Sequence, residues 1–314
     1  MTGCFITGGA GFIGSHVVDK LIDDRNQVTV YDNLISGRKE NIKSHMGEKS
    51  FWFVEADLLD YDTLVQTMKG HEIVWHLGAN TDIRAGNRVT DLDLRNCTIA
   101  TRNVLEAMRE TNIRDLIFAS SACVYGDVPS KSVSESFGPL LPINLYGAGK
   151  LACEGLISSY CHLFGITAGI FRFANVVGAR MGHGVIYDFI QKLKKDPKEL
   201  EILGDGNQEK PFFLVEDCIE GILCAVRNSR SLCDIYSLGT DSTTTVSRIA
   251  GIVAEEMGLT NVKFKYTGGR QGWPGDAPEI HFNVDKMKAL GWQAKHSSDE
   301  AVRIAARRLL GQTK

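Results

Sequence analysis

The chain lacks any stretch approaching the ~18 consecutive apolar residues of a membrane span, which excludes a transmembrane helix. It also lacks an excess of charge of one sign. Lys and Arg number 35 against 38 Asp and Glu, leaving a formal net charge of −3. With no blocks of like charge, there is no electrostatic case for nucleic acid or anionic membrane, so any anion site must be local. Eight cysteines are present, at 4, 97, 123, 153, 161, 218, 224 and 233. None falls in a C-x-x-C pair, and no Cys/His cluster has zinc spacing, so no metal site is expected. Most lie in apolar runs, as reduced thiols packed like small hydrophobes in a cytoplasmic protein. The N-terminus has no basic n-region and does not read as a signal peptide. Repeats, low-complexity tracts and Pro/Gly/Ser linkers are missing too, which argues for lobes of one folding unit with a cleft between them.

What is present is the composition of an ordinary soluble globular enzyme, 43% apolar and 23% charged. The first half alternates β-rich runs with helical patterns. Strands are predicted at 3–7, 27–32, 51–57, 72–79, 115–121 and 167–176, and helices at 11–24, 60–70, within 90–111 and from Leu145. This alternation predicts an α/β fold, a Rossmann-like doubly wound parallel sheet with right-handed crossovers. Beyond residue 176 the rhythm loosens. Helices at 184–196, 215–228 and 245–258, with short strands at 200–203 and 263–266, suggest a smaller C-terminal α/β substrate lobe. The expected division is therefore 1–176 and 177–314, with later segments returning to the first domain.

The segment "TGGAGFIG" (7–14) follows the first strand and opens a helix. Gly8, Gly11 and Gly14 permit a tight turn and a close approach of backbone N–H groups to a pyrophosphate. Asp32 ends the second strand, where a carboxylate binds both ribose hydroxyls of an adenosine and repels a 2′-phosphate. That favours NAD over NADP. Arg38 nearby is a weaker phosphate candidate. Asp57 ends the third strand, and either contacts adenine or caps the next helix.

"LYGAGK" (145–150) sets Tyr146 and Lys150 four apart, on one helix face. A tyrosine proton normally leaves near pH 10. An adjacent ammonium and a cationic nicotinamide both favour the phenolate, which then serves as a general base. The bland alternative is a surface helix pair. Ser121 ends the fifth strand, at the sheet end that lines a ligand crevice. Its hydroxyl either bonds a substrate oxygen beside Tyr146 or caps a turn. Strand alternation aims Ser120 the other way.

Together "TGGAGFIG", "YDNLISG", "HLGAN", "SSACVYG", "YGAGK", "RFANVVGAR" and "GDGNQ" resemble, in order, the extended short-chain dehydrogenase/reductases. The chain is most similar to the NAD-dependent nucleotide-sugar epimerases of the UDP-glucose 4-epimerase type, over residues 3 to about 293. The resemblance implies that Tyr146 takes a proton from the sugar 4-hydroxyl while hydride passes from C4 to tightly bound NAD. Lys150 bonds the nicotinamide ribose, Ser121 supports the proton transfer, and the hydride returns to the other face of the keto sugar. It further implies that Gly8, Gly11, Phe12, Ile13, Asp32, Asn33, Ser36, Gly37, Asp57, Leu58, Leu77, Gly78 and Ala79 hold NAD. Asn175 matches a diphosphate-binding asparagine, and Val185 and Ile186 fall where uracil stacks. Arg270 and Asp276 lie in a pyrophosphate- and ribose-binding region. A homodimer follows from the family as well, with the helices in 90–111 and 145–164 either pairing with their copies or packing in the core.

The chain departs from the family at two substrate-side places. Lys210 and Pro211 stand where many relatives carry arginine and aspartate. Lysine keeps the charge without the bidentate geometry. Arg270 is one place early, with Gln271 at the expected position. Ile280 falls where pocket size is set. Thr81 and Arg84 lie near the sugar pocket, and Arg84 either recognises an anion or makes a structural salt bridge. Ala122 and Cys123 follow Ser121 where related dehydratases and decarboxylases place an acid, which argues against elimination chemistry. A reductase on the same scaffold, or an epimerase on another nucleotide or on a uronic or N-acetyl sugar, stays open. A non-catalytic NAD sensor would have lost Tyr146 or Lys150.

Overall fold

The computed structural model describes residues 1–128, 132–229 and 231–312. In chain order the elements are β1 (Gly3–Thr7), α1 (Phe12–Asp23), β2 (Gln27–Asp32), β3 (Phe51–Glu55), α2 (Tyr61–Met68) and β4 (Ile73–His76). Then come α3 (Ala100–Thr111), β5 (Asp115–Ser121), β6 (Ser132–Val133), α4 (Leu145–Phe164), β7 (Thr167–Phe173), β8 (Asn175–Val177) and α5 (Val185–Lys195). The chain continues through β9 (Glu199–Ile202), β10 (Glu209–Lys210), β11 (Phe212–Leu214), α6 (Val215–Asn228), β12 (Cys233–Leu238), β13 (Thr244–Thr245) and α7 (Val246–Glu256). It ends with β14 (Lys263–Tyr266), β15 (His281–Phe282), α8 (Asp285–Ala289) and α9 (Ser298–Leu309).

Seven strands form one sheet in the order 12-7-5-4-1-2-3. The pairs β1–β2, β1–β4, β2–β3 and β4–β5 all run parallel. The order turns back between β1 and β4, and the carboxyl ends of strands beside such a reversal are where open α/β sheets bind ligands. β1 is buried along its whole length, as a strand covered by helices on both faces must be. Its core includes Phe5, Tyr31, Val74, Phe118, Val104 and Ile157.

Met1–Val124, Asn144–Arg172 and Ala225–Tyr236 form one compact unit, and Tyr125–Ile143, Phe173–Cys224 and Ser237 onward form a second. The second has its own core, with Ile186, Phe189, Leu200, Ile252, Val302 and Ala305 among its buried residues. The boundary expected at 176 therefore differs in two places. Residues 125–143 join the second unit, and 225–236 return to the first. β12 reads Cys-Asp-Ile-Tyr-Ser-Leu, too short and mixed to announce a strand. The single strand expected at 167–176 is two strands. At Ala174 the backbone turns to Leu238, and at Asn175 to Pro211, so β8 pairs with β11. The helix expected within 90–111 opens as a π-helix at Leu94–Ile99, an i→i+5 pattern that a 3.6-residue period does not reveal.

His45 ties the 3₁₀ segment Lys39–His45 to α1, with Nε2 2.8 Å from Asp19 and Nδ1 2.8 Å from Glu48. Burial works against its charge, but the two carboxylates outweigh it and hold its pKa above the ordinary imidazole value. The stability it contributes is therefore full below about pH 6.5 and is lost as pH rises through the raised pKa. The melting temperature of the wild type minus that of His45→Gln is expected to shrink as pH climbs from 6 to 9. Each kcal/mol lost corresponds to roughly 2–4 °C. A gap constant across that range would refute the assignment.

Candidate active site

The glycine turn is closed by the Gly11 amide donating to the Gly8 carbonyl at 3.1 Å. Gly8 sits at φ +70, and a Cβ there would meet the Gly78 amide nitrogen at 2.7 Å. It thus supplies both a left-handed turn and contact with the loop after β4. A Cβ on Gly14 would overlap the Gly8 carbonyl oxygen, so α1 lies against the turn with no space to spare. Gly11 is the N-cap of α1, and no side chain caps the helix there, which leaves the amides of Phe12 and Ile13 for an anion.

Asp32 accepts from the Ala10 amide at 2.9 Å and from the Leu34 amide at 2.9 Å. Burial pushes its carboxyl above the usual value, and those two amides pull it back. A Cβ on Gly37 would come 2.7 Å from this carboxylate. Asn33 donates to Asp57 at 2.8 Å, and Asp57 accepts from the Leu59 amide at 2.9 Å. The cap of α2 is Asp60, which accepts from the Thr63 amide, so the capping alternative for Asp57 is set aside. Leu58 packs on Gly78, and the Thr81 hydroxyl donates to Ser36 at 3.0 Å. Residues expected at the cofactor thus gather around the carboxyl ends of β1, β2 and β4. An amide-lined turn, a buried carboxylate at the end of β2 and glycines that keep the approach clear fit a dinucleotide.

Asn144 caps α4 by accepting from the Gly147 amide at 2.7 Å, which starts the helix one residue before Tyr146. Lys150 is 2% exposed. Its ammonium donates to the Ala119 carbonyl at 2.6 Å and lies 4.7 Å from the Phe118 ring centroid and 5.8 Å from that of Tyr146. Ser121 accepts from the Cys123 amide at 3.2 Å and favours the ionised form of the Tyr146 phenol. Tyr146 carries a correction. An ammonium four residues on was expected to lower its pKa, yet the pKa lies well above the ordinary phenol value. Burial is the main cause, charge at Cys123, Cys97 and Asp93 adds to it, and only the Ser121 bond opposes it.

Several buried groups here left no legible signal in the sequence. Thr7 Oγ1 lies 2.7 Å from His76 Nδ1, and His76 Nε2 lies 2.9 Å from Thr101 Oγ1. Burial, with the Lys150 charge, drives the His76 pKa down to about 3, so the ring is neutral. Its Thr7 partner also receives the Gly78 amide, which ties β1 to the loop after β4. Asp93, 1% exposed, accepts from Asn80 at 3.0 Å.

The second unit carries the remaining candidates. Lys210 donates to Asp276 at 2.5 Å, and Asp276 also accepts from the Gly272 amide at 3.3 Å. Arg270 makes two bonds to Asp127, at 2.7 and 3.1 Å. Asn175 donates to the Pro211 carbonyl at 3.1 Å. Ile280 is buried. Val185 is half-buried, but Ile186 is fully buried among Phe189, Ile190 and Leu193. This corrects the expectation that the Ile186 side chain stacks on a base, because it is committed to packing. Arg84 serves locally through its amide, which donates to Asp82 at 3.1 Å. Among the described residues no group of three His, Cys, Asp or Glu is placed to hold a metal ion.

Residues 4–239 match the model of the NAD dependent epimerase/dehydratase family. A putative UDP-glucose 4-epimerase of Methanocaldococcus jannaschii is 35% identical over 95% of each chain. A crystal structure of a UDP-galactose 4-epimerase superposes with a TM-score of 0.88, at 36% identity over 99% of each chain. A UDP-N-acetylglucosamine 4-epimerase from Methanobrevibacter ruminantium M1, in complex with UDP-N-acetylmuramic acid, gives 0.87 at 28% identity over 99% of each chain.

Proposed function

Because the chain belongs to the NAD-dependent epimerase/dehydratase family, we propose that it is a nucleotide-sugar 4-epimerase acting on UDP-sugars of the glucose/galactose type. The observation that carries this reading is the trio at the carboxyl end of β5 and the start of α4. Ser121 acts on the Tyr146 phenol in favour of its ionised form, Lys150 is buried beside Tyr146, and the two positions after Ser121 hold no acid.

NAD, when bound, supplies the acceptor that takes a hydride from the sugar and gives it back. Gly8, Gly11, Phe12, Ile13 and Gly14 hold its phosphates, and Asp32 holds its adenosine ribose. Asn33, Ser36, Gly37, Asp57, Leu58, Leu77, Gly78 and Ala79 complete the binding surface. Ser121 fixes the reacting hydroxyl, and Tyr146 takes and returns its proton. Its raised pKa keeps the phenol protonated until further positive charge enters the site. Thr81, Asn175, Val185, Lys210, Arg270 and Asp276 are the proposed substrate contacts. Lys210 and Arg270 then exchange carboxylate partners for phosphate. Exposed Leu94, Ile99, Leu145, Leu163 and Phe164 support a homodimer that covers them.

Freshly purified protein is expected to carry bound nicotinamide. Incubated with UDP-, GDP-, CDP- and dTDP-sugars, it is expected to yield 4-epimers of UDP-sugars by NMR without added cofactor. Absence of bound nicotinamide, together with net consumption of NADPH, would mean a reductase instead.

A further inference from the structure

We propose that Glu154, with Arg172 and Ser120, is a positioning device that sets the register of α4 on β5 and thereby the placement of Tyr146 against Ser121. This rests on the reading of Tyr146, Lys150 and Ser121 given above. Tyr146, Lys150 and Glu154 are spaced four apart and share one helix face. Each engages β5. Tyr146 is influenced by Ser121, Lys150 donates to the Ala119 carbonyl at 2.6 Å, and Glu154 accepts from the Ser120 hydroxyl at 2.5 Å. Glu154 also accepts two bonds from Arg172 on β7, from Nε at 3.0 Å and from Nη2 at 2.7 Å. β5 and β7 are neighbours in the sheet, so one carboxylate stitches the helix to two adjacent strands.

The rest of the face explains why such a stitch is needed. Near its start, α4 approaches the chain through glycines. A Cβ on Gly147 would meet the Cys123 carbonyl at 2.5 Å, and one on Gly149 would meet the Asp93 carbonyl at 3.3 Å. Smooth glycine surfaces allow close approach but do not interlock, so they leave sliding along the strand weakly opposed. The Arg172–Glu154 fork is directional and tolerates little displacement. It is an inefficient device for stability alone. Glu154 is 5% exposed, Arg172 2% and Ser120 3%, and the desolvation of a buried pair offsets most of its Coulomb gain. The arrangement also gives Ser120 a role that alternation hid. It faces away from the ligand end in order to hold the catalytic helix.

The test replaces the pair with apolar side chains of similar volume, Glu154→Leu with Arg172→Met, an exchange that buried ion pairs often survive. The double variant is expected to melt close to the wild type and to keep its nicotinamide. Its kcat on UDP-galactose is expected to fall by roughly 10²-fold with KM unchanged, the effect of an ångström-scale misplacement. A folded double variant with wild-type kcat overturns the proposal. If that variant fails to fold, Ser120→Ala removes only the strand-side bond. Its kcat is then expected to fall about tenfold, in keeping with one hydrogen bond, with the melting temperature lower by only a few degrees, and wild-type kcat would again overturn the proposal. Tyr146→Phe in the same assay separates the two ideas, since activity there would sink the reading of Tyr146. A crystal structure of the double variant reads the register with no substrate. Displacement of α4 along β5 supports the clamp, and an unmoved helix rejects it.

Discussion

Tyr146→Phe is expected to lower turnover by roughly 10²–10⁴-fold, the usual contribution of a positioned acid–base group, while nicotinamide stays bound. Phenylalanine keeps the ring, so the packing of α4 against β5 is preserved. What disappears is the hydroxyl that, in the proposed reaction, exchanges a proton with the sugar. Retention of the cofactor follows because the glycine turn and Asp32, on β1, α1 and β2, do not depend on that hydroxyl. The pH dependence carries a sign. Because the Tyr146 pKa is raised, the phenolate fraction increases with pH throughout the working range, and wild-type kcat/KM should climb with it. The variant should lose that climb along with the rate. Activity within tenfold of wild type would remove Tyr146 from the chemistry.

Gly14→Ala is the substitution with the next largest expected effect, and it acts through backbone alone. The new methyl would overlap the Gly8 carbonyl oxygen and lie 2.8 Å from the Gly9 Cα. Neither atom can swing aside as a flexible side chain would. Either the turn opens, breaking the Gly11–Gly8 bond, or α1 lifts from β1. Overpacking of this kind costs about 1–3 kcal/mol, and here the strain falls on the atoms proposed to meet the pyrophosphate. Bound nicotinamide in the purified variant should drop by at least about tenfold, together with a lower melting temperature. Gly155→Ala, on α4, is the matched control. A Cβ there meets nothing within 4 Å, so stability should rise by about 0.5–1 kcal/mol. Unchanged cofactor content in Gly14→Ala would mean that the turn tolerates more than its geometry suggests.

The cofactor turn was legible because local chemistry dictates it. A glycine needed for a left-handed or crowded backbone is written at that very position, as at Gly8 and Gly14. The Tyr146–Lys150 pair was legible because four residues is a helical step. Glu154 continues the same step, but nothing local marks it, since its partners Ser120 and Arg172 lie 34 and 18 residues away. His76 and Asp93 were hidden for the same reason. The direction of the Tyr146 shift was misjudged because a spacing rule reports neighbours along a helix and says nothing of burial. β12 was missed because its strand character comes from the sheet edge it joins and not from its own six residues.

The interleaved course of the chain bears on the order in which it can mature. The first unit closes only with Ala225–Tyr236, after Phe173–Cys224 has been built for the second. A nascent chain stopped near residue 176 would own every cofactor residue and yet end its sheet at β7, with that strand's outer edge bare to other chains. The dinucleotide half is therefore no detachable module. During synthesis its sheet must wait for β12, and the interval before β12 emerges is when this protein is most exposed to mispairing.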